Sequence, residues 1–156
     1  MTSAKTIASY FITKAGQMGD GNKELSGNND LTNLKLQKIL YFAQVEFLKE
    51  TNKPLFDEPI EAWQYGPVVR NVYEWLKGCG AYVVTDFDVI LENTENLPDN
   101  IKEFLDRIWN KYQKYSAWGL VEETHKKGSA WDKVYAGGSG DKEIISLDLL
   151  KQAEIL

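Results

Sequence analysis

The stretch Leu34 to Ala43, reading LKLQKILYFA, constrains the fold more than any other part of this chain. Placed on a helix that turns roughly 100° per residue, Leu36, Ile39, Leu40, Ala43 and Phe47 share one arc, and Leu34, Tyr41, Val45 and Leu48 share the opposite one. A helix apolar on both sides is sandwiched between layers of a core, because a surface helix needs only one apolar stripe. Its polar residues divide into a narrow seam, Gln37 and Gln44, and a wider arc of Lys35, Lys38, Glu46 and Lys49 with Phe42 set among them. The wider arc reads as a solvated face. Phe42 then has two readings: it tucks beneath another element, or it is an exposed anchor for a partner protein, flanked by Lys38 and Glu46. Gln37 is open in the same way. It meets water or satisfies a buried loop group, since an unpaired buried amide is costly.

The pattern elsewhere predicts a mainly α (α+β) protein: a compact bundle of about six to seven helices around this central helix, with a small β hairpin. With 156 residues and 43% hydrophobic content, a single domain over residues 1–156 has a real core, and a second domain would be cramped. Ala4, Ile7, Ala8, Phe11 and Ala15 recur at helical spacing, with Gly16 as a natural stop. Gly16 to Asp30, rich in Gly, Asn and Asp, reads as a mobile loop. Thr32 caps the central helix, with Leu31 and Leu36 at the staple positions, and the helix fades near Thr51 to Pro54. Ile60 to Gln64 is extended, and Pro67 after Gly66 suits a first helical position ahead of Val68, Val72, Trp75 and Leu76. Ala81 to Thr85 has β composition and is expected to pair with the segment around Trp63 or with Phe87 to Leu91.

In the second half, Ile101, Phe104, Leu105, Ile108, Trp109 and Tyr112 write one amphipathic stripe after Pro98. Ser116 caps a further helix to about Thr124. Ser129 with Asp132 starts a short one, Gly137 to Gly140 is a flexible break, and Ser146 caps a last helix that turns Leu147, Leu150 and Ile155 inward.

Charge and cysteine usage narrow the function. A net charge of −5 argues against a phosphate-binding surface, and Lys126 with Lys127 is too small a cluster to reverse it, so no direct nucleic-acid partner is expected. The single cysteine, Cys79, excludes an internal disulfide framework and a multi-cysteine zinc site. That fits a reducing cytoplasm. The opening MTSAKTIASYFITK lacks an apolar run long enough for a signal or membrane segment, so a cytoplasmic location without membrane contact is expected.

Catalytic chemistry finds little support. Cys79 lies between two glycines at a helix end, where the dipole disfavours a thiolate. His125 with Glu122 or Glu123 has metal-compatible spacing, yet one histidine and scattered carboxylates occur in most proteins. Gly137 to Gly140 lacks the lysine, preceding strand and following helix of a phosphate loop. No cofactor or metal is expected, and no enzymatic activity. The alternative from that class is a small hydrolase or transferase using His125 with nearby carboxylates. Trp63, Trp75, Trp109, Trp118 and Trp131 read as core or groove walls.

LKLQKILYFA, AWQYGPV from Ala62 to Val68, and THKKGSAW from Thr124 to Trp131 resemble, in this order and spacing, the three signatures of the Panacea or SocA-like domain family. That family occurs in phage-associated proteins and in antitoxins of toxin–antitoxin systems. The resemblance spans nearly the whole chain. Relatives often carry proline where this chain has Ala130, which loosens the turn after His125, and an acid where it has Gly119. The resemblance implies a helical protein that neutralises a cognate toxin by direct binding. In the SocA case it implies an adaptor that delivers the toxin to a protease or its unfoldase. A phage-encoded regulator acting through a protein partner is the remaining alternative.

The residues themselves add a physical reading. Tyr65, Gly66 and Pro67 make a rigid corner beside Trp63. His125 and Trp131 either lock the C-terminal helices onto that corner or help form a partner groove there, and both readings are compatible. The expected partner-binding set is therefore Lys38, Phe42, Glu46, Trp63, Tyr65, Arg70, His125 and Trp131.

Overall fold

The computed structural model describes residues 2–18 and 30–156. Its elements run α1 (Ala4–Met18), α2 (Asn33–Thr51), β1 (Ile60–Trp63), β2 (Gly66–Val68), α3 (Arg70–Leu76), α4 (Asp99–Tyr112), α5 (Ala117–Thr124), α6 (Ala130–Tyr135), β3 (Glu143–Ile145) and α7 (Leu147–Gln152). Hydroxyl caps set four helix starts: Thr32, Ser116, Ser129 and Ser146 each accept a hydrogen bond from the backbone N–H three residues on. Asn52 stops α2 in the left-handed conformation at φ 59°, with its N–H on the Leu48 carbonyl. Helix α1 runs through Gly16 to Met18, and the predicted loop beyond it falls on residues 19–29, outside the described residues.

Helix α2 is the centre, with α1, α3, α4, α5, α7 and β2 packed around it, and both apolar arcs are buried apart from the half-buried Leu34 and Phe47. The wider polar arc is solvated only at Lys49, at its C-terminal end. Lys35 and Lys38 are fully buried, Glu46 is buried, and Phe42 is 2% exposed. The reason is that α4 covers this side as well: Phe42 stacks on Tyr112 with centroids 4.7 Å apart, and Glu46 accepts from the Tyr112 hydroxyl and from Lys111 Nζ at 3.2 Å. Lys35 reaches the Gln113 carbonyl beyond the end of α4. Phe42 therefore tucks beneath another element, and it is not an exposed anchor with Lys38 and Glu46 at its rim.

The sheet is antiparallel in the order β2-β1-β3, with Ala62 opposite both Pro67 and Glu143. Pro67 sits in β2 and not at a helix start, and α3 begins at Arg70. An edge strand tolerates proline because the outward N–H has no ladder partner to lose. Ala81 to Thr85 is not a strand of this sheet. Val83 bridges to Thr32, Val84 is buried and donates its N–H to the Leu31 carbonyl, and the chain then turns tightly over Val84–Asp86. The third strand comes from Glu143–Ile145. Gly137 to Gly140 is a close-fitted turn, since a Cβ on Gly140 would lie 1.8 Å from the Val134 carbonyl oxygen. Leu150 faces inward as expected, whereas Leu147 and Ile155 are exposed. Among the described residues no helix is long and apolar enough to cross a membrane.

Candidate functional site

The three sequence signatures meet at one corner of the molecule. Strand β2 is a sheet edge, and the side chains of α2 supply the bonds that a further strand would make there. Lys38 Nζ donates to the Pro67 carbonyl at 3.0 Å, and Gln37 Oε1 accepts the Val69 N–H at 2.9 Å. Gln37 Nε2 donates to Asn33 Oδ1, so its amide is satisfied at both ends. Gly66 makes the approach possible. Its φ is +110°, and a Cβ there would lie 2.7 Å from Lys38 Cε and 2.9 Å from Thr124 Oγ1.

The third signature closes the corner from the other side. Trp131 Nε1 donates to the Trp63 carbonyl at 2.7 Å, and the Trp131 ring stacks on His125 at 3.9 Å and on Tyr135 at 4.7 Å. His125 caps α5 through its N–H, and Ser129 Oγ donates to the Thr124 carbonyl. Ala130 is the first residue of α6, a position that would also admit proline, and Gly119 lies where a Cβ would press on Ser116 Oγ at 3.0 Å. The C-terminal helices are thus locked onto the hairpin.

The electrostatics are unusual for so acidic a chain. No carboxylate pairs with Lys38 among the described residues, and burial pulls its ammonium down to about 7. Burial, and then the neighbouring Lys38 charge, hold the His125 imidazole below its usual value, and its Nε2 is buried without a hydrogen-bond partner among the described residues. Burial alone would raise the Glu61 carboxyl. Hydrogen bonds from Arg70 Nη2 at 2.6 Å, Arg70 Nε at 3.0 Å and Trp63 Nε1 at 3.1 Å outweigh it and keep the group below the usual carboxylate range. The Arg70 guanidinium and the Lys142 ammonium both stand over the Trp63 ring, at 5.2 and 5.3 Å.

Beside this braced corner opens a groove of about 590 Å³ walled by Trp63, Tyr65, Tyr73 and Trp118, with Gln37 and Lys38 lining it from α2. Tyr65 and Trp118 are 51% and 58% exposed and meet edge to face, centroids 5.6 Å apart at 87°. Of the expected residues, Lys38, Trp63 and Tyr65 line the groove, Arg70 backs Trp63, and His125 and Trp131 buttress the hairpin behind it. Phe42 and Glu46 are not part of it; they pack against Tyr112. Sequence reasoning assigned no partner role to Trp118, Tyr73 or Lys142. For Trp118 the signal is weak: Leu120, Val121 and Thr124 mark the buried face of α5, and Trp118 falls at the margin of that face, about 60° from Val121 on the helical wheel.

Cys79 is buried, its thiol pushed up by that burial, and among the described residues no group of three or more His, Cys, Asp or Glu is placed to hold a metal.

The family described as "Antitoxin SocA-like, Panacea domain" matches residues 36–132, a span that takes in the hairpin and the residues that brace it from α2, α5 and α6. The chain belongs to this family. Antitoxin SocA of Caulobacter vibrioides (strain NA1000 / CB15N) is 29% identical over 145 residues, covering 88% of this chain and 72% of that protein. No solved structure matches. Membership in the Panacea family supports an antitoxin role, suggests a function other than catalysis, and implies a toxin as partner in general.

Proposed function

We propose that this Panacea protein neutralises a cognate toxin by binding it directly, with a segment of the toxin seated in the groove walled by Trp63, Tyr65, Tyr73 and Trp118. The observation that carries the reading is the Tyr65–Trp118 pair: two large rings, each more than half exposed, fixed edge to face on a corner that three signatures hold rigid. Tyr, Trp and Arg dominate the energetics of protein interfaces, and rings already ordered before contact lose little entropy on binding. In this reading Lys38, His125 and Trp131 act by bracing the hairpin, whereas Trp63, Tyr65 and Trp118 touch the partner.

The test is a calorimetric titration with the product of the adjacent gene, once that product is shown to be toxic without this protein. Tyr65→Ala and Trp118→Ala each weaken binding by at least about 1 kcal/mol, roughly fivefold, with melting temperatures unchanged because both side chains are exposed. Full affinity in the double variant would refute the assignment. A toxin half-life that shortens in cells when this protein is co-expressed would add delivery to a protease to the binding.

A further inference from the structure

A second surface shares no lining residue with the groove. Ile144 in β3 and Leu147 at the start of α7 are 61% and 48% exposed. Together with Pro54, Phe56, Pro59 and Leu150 they line a cavity of about 150 Å³, room for one aliphatic side chain. The charged residues that line it, Asp57 and Glu58, are both acidic. Asp57 lines the cavity, Glu143 and Asp148 flank Ile144 and Leu147 in the chain, and none of the three forms an ion pair among the described residues. Glu58 also lines it, accepting from the Ala4 N–H and from Asn71.

No lysine or arginine lines the cavity, and the lysines nearest in the chain reach other groups. Lys142 stands over the Trp63 ring, Lys151 Nζ donates to Asn52 Oδ1 at 2.6 Å, and Lys49 Nζ donates to the Lys151 carbonyl at 2.8 Å. Only the Lys53 side chain, beside Pro54, has no such partner among the described residues. An apolar centre whose charged lining is acidic alone has the composition of an interface hot spot, and the sign of that lining selects the partner.

We infer that this cavity is a second docking site, for a segment of a partner protein that inserts one aliphatic side chain between Ile144 and Leu147 and sets lysine or arginine on either side of it. The site is independent of the toxin groove, so one copy of the chain can hold both partners at once.

The probe is the capped pentapeptide Lys-Arg-Leu-Arg-Lys, titrated into the ¹⁵N-labelled full chain. Amides of residues 57–60 and 143–150 shift saturably, and affinity falls severalfold when the ionic strength rises from roughly 0.05 to 0.3 M. Replacing the peptide leucine by alanine, or its cations by Glu and Asp, removes the shifts. Ile144→Ser weakens binding at least fivefold, as does the pair Asp57→Lys and Asp148→Lys; all three side chains are exposed, so the fold is retained. Three results overturn the proposal: no shift in these segments at millimolar peptide, equal binding of the acidic peptide, or the same shifts on raising the chain's own concentration, which would make the occupant a second copy. No toxin enters the experiment, so it stands or falls apart from the groove assignment.

Discussion

Gly66→Ala is the sharpest perturbation of the corner that joins the three signatures. At φ +110° any side chain is strained, which costs about 1–3 kcal/mol. The new methyl would also lie 2.7 Å from Lys38 Cε and 2.9 Å from Thr124 Oγ1, and neither neighbour yields easily. Lys38 is fully buried with its Nζ bonded to the Pro67 carbonyl, and Thr124 Oγ1 donates to the Val121 carbonyl at 2.8 Å. Overpacking of this kind adds about 1–3 kcal/mol, so the sum is about 2–6 kcal/mol against a total stability of about 5–15 kcal/mol. At about 2–4 °C per kcal/mol for a chain of this size, the melting temperature falls by roughly 5–20 °C. Gly137→Ala is the control. Its φ of 68° and ψ of 14° are left-handed, with nothing within 4 Å of a new Cβ, so it loses only the conformational part, about 1 kcal/mol. Scanning calorimetry of both variants decides the matter: if Gly66→Ala melts within about 2 °C of Gly137→Ala, the close approach of β2 to α2 does not hold the corner.

Phe42→Ala removes a ring stacked on Tyr112 in the core and costs about 3–5 kcal/mol in chemical denaturation, while the fraction that remains folded keeps its toxin affinity; a stable variant with weakened binding would return Phe42 to the interface. Lys38→Met tests the buried ammonium. In the unfolded chain that group titrates near 10.5 and in the fold near about 7, so between these values the unfolded chain binds the extra proton and wild-type stability rises with pH, by at most about 1.4 kcal/mol per unit. Urea titrations between about pH 7.5 and 9.5 should show that rise relative to Lys38→Met. Lys35, lowered to about 8, contributes to both proteins and cancels, and parallel profiles would mean that Lys38 titrates normally.

Much of this architecture is legible because it depends on local rules. Helix α4 carries a single apolar stripe over fourteen residues, and the hydroxyls that start four helices lie at the positions their chemistry requires. The two-sided pattern of α2 likewise places it at the centre. What the local rules miss is set by distant partners. Lys35, Lys38 and Glu46 look solvated until α4 and the hairpin bring a carbonyl, a second carbonyl and a tyrosine hydroxyl to their tips. Pro67 fits a first helical turn and an edge strand equally well, since neither uses the missing N–H; pairing with β1 and the claim of Gln37 on the Val69 N–H decide for the strand. Strand β3 is three residues long, too short to show a period, so the β composition of Ala81 to Thr85 was the stronger signal and the misleading one.

If the groove binds a toxin as proposed, the same non-local bonds leave recognition there to side chains. An unpaired strand edge beside a groove invites another strand to add to it, with main-chain bonds that read little sequence. Here Gln37 and Lys38 occupy that edge from α2, so a partner arriving at the groove meets satisfied backbone and, above it, the exposed rings of Tyr65 and Trp118. In the proposed binding mode, specificity for one toxin rests on how its surface fits two rings and the cations near Trp63. Such a surface can be retuned by substitution without disturbing the buried bonds that hold the hairpin.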